Sequence, residues 1–236
     1  MTFARFIDVL RQAAARVLLP VALLYGALVG LGLLVTRVLP DQWPFTVEDA
    51  VNRELAAERT DGRTGLSLVF STIASTEMII AVTAVAAIVL ALTGRRWREP
   101  LFLIGAVSAQ ALVFLLTTLA IDRQRPAVER LDGSLPTSSF PSGHTSAAVA
   151  LYCGLALLLA ARTSKPAVRA GWWALLLLVP LGVALSRMYR GMHHPSDVTA
   201  SFLNGAACLV IMARAVLDRA VRWRHPELVE RVPATP

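Results

Sequence analysis

Two stretches far apart in this chain share one polar vocabulary. The first runs Arg125-Pro126 and then Pro141-Ser142-Gly143-His144; the second runs Ser186-Arg187 and then His193-His194-Pro195-Ser196-Asp197. Cleaving a phosphate ester needs fixed charge for the phosphoryl oxygens, a nucleophile or activated water, and a proton for the leaving oxygen. Arginine forks suit the first need, because they offer paired donors and keep their charge. A Ser-Gly pair opening a helix exposes N–H groups where the helix dipole favours an anion, and His144 follows in the first turn. Pro195 suits the first turn of another helix, which leaves His193 in the loop before it and puts Asp197 inside it. The carboxylate could then accept from one imidazole nitrogen and leave the other free to attack. Each piece alone has a plainer reading. The arginines could snorkel to an interface, Ser142 could be a cap beside a surface histidine, and Asp197 a cap beside a solvated one. His194 reads as structural.

The elements that must position these residues are apolar. Hydrophobic residues make up 56% of the 236 and charged residues 17%, far from the composition of a soluble domain. Apolar runs of the length needed to cross a bilayer are expected at Ala14 to Val38, Thr72 to Thr93, Leu101 to Ile121, His144 to Ala161, Trp172 to Ser186 and Val198 to Ala213. Spanning segments must satisfy their own backbone hydrogen bonds, so the expected fold class is all-α: an integral membrane bundle of six helices, forming a single domain over residues 1–236. The basic, apolar N-terminus reads as an uncleaved first span. Cys153 and Cys208 lie inside apolar runs without metal-site spacing and read as small core residues.

The net charge of +7 is almost all arginine, and it flanks the apolar runs rather than forming a nucleic-acid surface. Arg5, Arg11 and Arg16, then Arg95, Arg96 and Arg98, then Arg162, Lys165 and Arg169, then Arg214, Arg219, Arg222, Arg224 and Arg231 fall on one side of a six-span chain. The positive-inside rule makes that side cytoplasmic, with both termini there. Both polar motifs then occupy loops on the opposite, periplasmic face, where distant residues can meet. Short loops and the arginine bias fit a bacterial inner membrane. In the outer loop 40–70, Thr46 and Asp49 have capping-box spacing, Val47, Val51 and Leu55 recur at helical spacing, and Gly62 could end the helix. A short amphipathic helix over the mouth of the site is expected, although a plain spacer helix fits the same residues.

Taken together, Arg125-Pro126, Pro141-Ser142-Gly143-His144 and Ser186-Arg187 followed by His193 and Asp197 resemble the three-part signature of the type 2 phosphatidic acid phosphatase superfamily. That group includes bacterial lipid phosphate phosphatases, glucose-6-phosphatase and vanadium haloperoxidases. The second and third parts agree in full, with five residues between Arg187 and His193 and three between His193 and Asp197. The signature occupies residues 118–197. The resemblance implies that His193 is the nucleophile of a phosphohistidine intermediate and Asp197 its partner. It implies that His144 protonates the leaving alkoxide and then activates water. Arg125, Arg187, Ser142 and the Gly143 amide would form the phosphate cradle. No cofactor and no metal are implied, and no metal-ligand cluster is legible.

One position departs from the pattern. The family's lysine, seven residues before the Arg of Arg-Pro, is Thr118 here. Thr118 can hydrogen-bond a phosphate oxygen but brings no charge, and Arg123 is the nearest substitute. Glu77, near the outer end of the second run, is an ionisable group inside a span, where such groups are often functional. Pairing with an arginine of the pocket or contact with substrate is one reading, and snorkelling is the other. The expected activity is metal-independent hydrolysis of a lipid phosphate or prenyl diphosphate, with phosphatidic acid, phosphatidylglycerophosphate and undecaprenyl diphosphate as candidates. Membrane lipids are the expected surroundings, and nucleic acid is not expected as a partner. A lipid phosphotransferase using the same intermediate, or a non-catalytic binder of lipid phosphates, are the alternatives.

Overall fold

The computed structural model describes residues 11–12, 14–93, 97–133 and 137–217. Arg5, Arg95, Arg96, Arg219, Arg222, Arg224 and Arg231, used above for orientation, lie outside them. Six helices have the length and apolarity to cross a membrane: α1 (Ala14–Val38), α4 (Thr76–Thr93), α5 (Arg98–Ala120), α6 (Gly143–Ala161), α7 (Pro166–Tyr189) and α8 (Pro195–Leu217). Two shorter helices, α2 (Glu48–Ala57) and α3 (Asp61–Ile73), lie between α1 and α4. No strand occurs among the described residues. The protein is an all-α, six-span membrane bundle, as its apolar runs require.

The bundle is apolar outside as well as inside. Leu92, Leu119, Leu178 and Ile80 are exposed, an arrangement suited to lipid rather than water. Its interior packs Phe102, Leu103 and Ala106 of α5 against Ala150 and Leu151 of α6 and Leu209 of α8. Apolar attraction between helices is weak in lipid, so small residues and buried polar bonds carry more of the association. Ser146 Oγ of α6 donates to Gln110 Oε1 of α5 at 2.8 Å, and Asn204 Nδ2 of α8 donates to the Gln110 carbonyl at 3.2 Å. Gly205 lets α8 approach α6 closely: a Cβ there would lie 2.6 Å from Val149 Cβ and 2.8 Å from the Ser146 carbonyl oxygen.

Several expected boundaries shift. The fifth and sixth spans extend beyond Trp172 to Ser186 and Val198 to Ala213, because Pro166 and Pro195 each start a helix and Ser186, Arg187 and Tyr189 continue α7. The second span does not begin at Thr72. Thr72 and Ile73 end α3, and the chain turns through Ala74 and Ser75 before α4. Gly62 does not end a helix either. Thr60 caps α3 by accepting from the Arg63 amide, so Gly62 falls in its first turn. The capping box at Thr46 and Asp49 does not form, because Phe45–Val47 makes a 3₁₀ turn and Val47 precedes α2 with no side-chain cap. Asp49 Oδ1 lies instead within 3.4 Å of His194 Nε2.

The outer helices turn their polar edges inward. In α2 the buried residues are Glu48 and Asn52, not the Val47, Val51, Leu55 stripe. In α3 they are Ser67 and Ser71, whereas Leu66, Leu68 and Val69 are exposed. This inversion places hydrogen-bonding groups against the two motif loops.

Gly205→Ala should lower stability by about 1 to 3 kcal/mol, the usual penalty for overpacking a close contact. A thermal melt of the detergent-solubilised variant checks this, and an unchanged midpoint would show that α8 can move away freely.

Candidate active site

Both polar motifs meet at one end of the bundle, in and beside a cavity of about 750 Å³. Arg125, Gly143, His144, Arg187 and His193 line it, as do Phe114, Val107, Ile79 and Ile80. The cavity runs from a cationic and imidazole-bearing end into an apolar wall made by α4 and α5.

His193 is buried in the loop between α7 and α8. Its Nδ1 is 2.7 Å from the backbone carbonyl of Ser139. A carbonyl can only accept, so the proton belongs on Nδ1 and Nε2 keeps its lone pair. Asp197 does not make this bond: Oδ2 is 3.8 Å from Nδ1, beyond hydrogen-bonding distance. Asp197 acts one step removed. It accepts from Ser139 Oγ at 2.5 Å, fixing the residue whose carbonyl orients His193. The same carboxylate accepts from the His194 amide at 2.7 Å, lies 3.3 Å from His194 Nδ1 and is ion-paired to Arg123. Burial pushes the His193 imidazole below its ordinary value; Asp197 opposes this, and the charges of Arg187 and Arg125 add to it.

The loop carrying His193 is held from three sides. Gly191 adopts a left-handed conformation at φ 71°, where a Cβ would meet the Glu129 carbonyl at 2.8 Å. Asn52 Nδ2 donates to the carbonyls of Met188 and His193, each at 3.1 Å. Arg59 donates to the carbonyls of Tyr189 and Glu129. Glu48 caps α8 from outside: Oε1 accepts from the Ser196 amide at 2.6 Å, and Oε2 pairs with Arg123 at 2.6 Å.

The arginines fall into two groups. Arg125 donates from one nitrogen to the Met192 carbonyl at 2.7 Å and lines the cavity. Burial and the nearby Arg130 push it below its ordinary value, while Asp197 works the other way. Arg187 is buried in the last turn of α7, where it bonds Ser71 Oγ and Asp132 Oδ2, each at 2.6 Å, and its Nε is buried without a partner. Arg190 grips the same Asp132 carboxylate and also bonds Ser67 Oγ at 2.9 Å. Burial alone would raise the Asp132 carboxyl; the hydrogen bond from Arg190 and the charges of Arg187 and Arg190 hold it below the usual carboxylate range.

Four of the expected residues sit differently. Arg123 does not line this cavity, because its guanidinium is consumed by Asp197, Glu48 and Ser196. Ser142 Oγ is buried and accepts from the Thr145 amide at 3.4 Å and its hydroxyl at 3.0 Å, so it caps α6. The Ser142 amide is also committed, donating to Ser201 Oγ at 2.7 Å. Thr118 lies one turn beyond Phe114 on α5, but its Oγ1 is buried without a partner and it is absent from the cavity lining. Glu77 lines the cavity without an arginine partner among the described ion pairs. Gly143 and His144 do line it, and as the first two residues of α6 their amides have no intrahelical acceptor. A Cβ on Gly143 would stand 2.8 Å from the Phe114 ring, so any larger residue there would have to displace that ring.

Ser139, Asp132, Arg190, Glu48 and Asn52 were not singled out from sequence. Asp132 and Arg190 are ordinary loop and helix-end charges until the fold pairs them, and Ser139 contributes through a carbonyl that every residue has.

The chain belongs to the PAP2 superfamily, whose profile matches residues 100–220. Its fold is similar to that of a transmembrane PAP2 type phosphatidylglycerolphosphate phosphatase from Bacillus subtilis, with a TM-score of 0.72 at 17% identity over 86% of this chain and 97% of that one. It is also similar to Aquifex aeolicus LpxE, with a TM-score of 0.57 at 22% identity over 72% of this chain and 97% of that one. No curated protein matches it in sequence.

Asp132→Ala leaves two buried guanidinium groups without their shared carboxylate and should cost about 2 kcal/mol or more of stability. Unfolding of the variant in detergent tests this; a midpoint equal to that of the parent would show that the two arginines find other partners.

Proposed function

We propose that this chain hydrolyses the phosphate ester of a membrane lipid through a phosphohistidine on His193, without a metal ion. The observation that carries the reading is the bond from His193 Nδ1 to the Ser139 carbonyl, which leaves Nε2 unprotonated in a cavity shared with Arg125, Arg187 and His144. Family membership supports the phosphatase class. A phosphatidylglycerolphosphate phosphatase among the fold neighbours supports a lipid substrate.

In the first step Nε2 attacks phosphorus, a P–N bond forms and the P–O bond to the lipid breaks. His144 gives its proton to the departing alkoxide. Arg125, Arg187 and the amides of Gly143 and His144 hold the equatorial oxygens as charge builds on them. In the second step His144 takes a proton from water, the oxygen attacks phosphorus, and the P–N bond breaks to free phosphate and restore His193. Asp197, through Ser139 and its own charge, keeps the ring oriented and favours the positive phosphohistidine.

The lipid reaches the site from the side. Ile80 and Leu115 line the cavity and are themselves exposed on the lipid-facing surface, at 62% and 52%. The tail can therefore stay in the bilayer while the phosphate meets the arginines. The site faces the periplasm in this reading. Arg16, Arg98, Arg162, Lys165, Arg169 and Arg214 all belong to the opposite ends of the spans, the cytoplasmic side by the positive-inside rule. Phosphatidic acid and phosphatidylglycerophosphate present that ester; a prenyl diphosphate offers a terminal phosphoryl group to the same attack, with the prenyl phosphate leaving in place of the alkoxide.

Phosphate release from phosphatidic acid or phosphatidylglycerophosphate by the purified protein should persist in EDTA. It should disappear in His193→Ala and fall about 10²- to 10⁴-fold in His144→Ala. Sensitivity to EDTA, or activity surviving in His193→Ala, would overturn the mechanism.

Because burial lowers the His193 value, the neutral ring persists into acid, and the acid limb of kcat/KM should lie below about pH 6.5. The same shift costs stability as pH falls below about 6.5 towards the folded value, where the unfolded chain binds the extra proton. An acid limb above that pH would exclude His193 as its source.

A further inference from the structure

The reaction cavity holds a group for which the chemistry above has no use. Ser75, Thr76 and Glu77 line it at the start of α4, and Ile79 and Ile80 line it one turn deeper. Along this helix the wall therefore changes from polar at the outer end to apolar towards the membrane interior. The phosphate-holding residues, Arg125, Arg187 and His193, also sit at the outer end. A bound lipid would have its tail against Ile79 and Ile80, and the part of its headgroup next to the phosphate at the level of Glu77.

Glu77 is an odd choice for that level. It is exposed, lines the cavity that also holds Arg125 and Arg187, and has no arginine partner among the described ion pairs. Its place in the first turn of α4 is favourable for a carboxylate, which explains why it is tolerated. It does not explain why a negative charge faces a cavity that must take a phosphate, since like charges repel. Locally the carboxylate is already served by the Ser75 hydroxyl and the helix start; towards a bound substrate it contributes favourably only where a hydrogen-bond donor stands beside the phosphate, because an ionised carboxylate accepts and cannot donate. Ser75 Oγ already accepts from the Met78 amide, and the hydroxyl of Thr76 next to Glu77 can both donate and accept. That pairing suits a hydroxyl, which does both, better than an ammonium, which only donates.

We infer that Glu77 is a specificity-determining residue, selecting lipid phosphate monoesters that bear a free hydroxyl close to the phosphate. Lipids whose phosphate joins hydrocarbon or acyl-ester groups with no nearby donor are the disfavoured class. The inference rests on the phosphatase reading above and deepens it.

The test uses two substrates that differ by one donor: an oleoyl lysophosphatidic acid with its free 2-hydroxyl, and the 2-O-methyl ether of the same lipid. Phosphate release from mixed micelles gives kcat/KM for each with the parent protein, Glu77→Gln and Glu77→Leu. The parent should favour the hydroxyl form about tenfold, the scale of one charge-assisted hydrogen bond. The ratio should fall to near one in Glu77→Leu and lie between in Glu77→Gln, which keeps an acceptor but loses the charge. The ratio is internal to each variant, so partial misfolding does not move it. A ratio equal in all three proteins overturns the role of Glu77 while leaving the phosphatase reading intact. Release from neither lipid by the folded parent overturns that reading and this inference with it.

Discussion

Asp197 is the constraint on which the rest of the site depends. Its side chain has no exposure, and a carboxylate that far from water must be met by donors on every side. The donors come from three separate places in the chain: the amide of His194, the hydroxyl of Ser139 and the guanidinium of Arg123. Satisfying this one charge therefore joins the start of α8 to the long loop before α6. That junction places the Ser139 carbonyl against His193 Nδ1 and so decides the tautomer of the proposed nucleophile. Arg123 passes the constraint on to Glu48, which in turn caps α8. The outer helix α2 is thus fastened to this end of the bundle by the Glu48–Arg123 pair together with the Asn52 hydrogen bonds.

A second carboxylate repeats the logic nearby. Asp132 holds Arg187 and Arg190 together at the end of α7, with Ser71 and Ser67 of α3 completing their donor sets. Two adjacent guanidinium groups would repel each other in a low-dielectric setting, and the carboxylate between them removes that penalty. Buried polar residues are thereby concentrated at one end of a bundle whose flanks are apolar. The cavity inherits the division, with charge at the outer end and hydrocarbon-like walls deeper in. Such a layout matches a molecule with an anionic end and an oily one.

The sequence made a good part of this legible. Six runs long enough to cross a bilayer have few alternatives, because an unpaired backbone is too costly in hydrocarbon. The spacing of His193 and Asp197 about Pro195 foretold a loop histidine before a helix that starts at the proline, and Ser142-Gly143 foretold a helix start. Helix ends and side-chain partners were less legible. Thr46 and Asp49 have the spacing of a cap but form none, since Asp49 lies against His194. Arg123 looks like a free cation near Arg125 but is neutralised by two carboxylates, one of them 75 positions earlier in the chain.

The sequence by itself determined the class of fold and the types of group available for chemistry, because the length of an apolar run and the donor geometry of a side chain are local properties. Only the tertiary structure decided which nitrogen of His193 is free and which arginines line the cavity. Those outcomes depend on which buried charge meets which donor across separated segments. That competition is settled by the packing of α2, α3 and the two motif loops as a set, and no spacing along one segment records it.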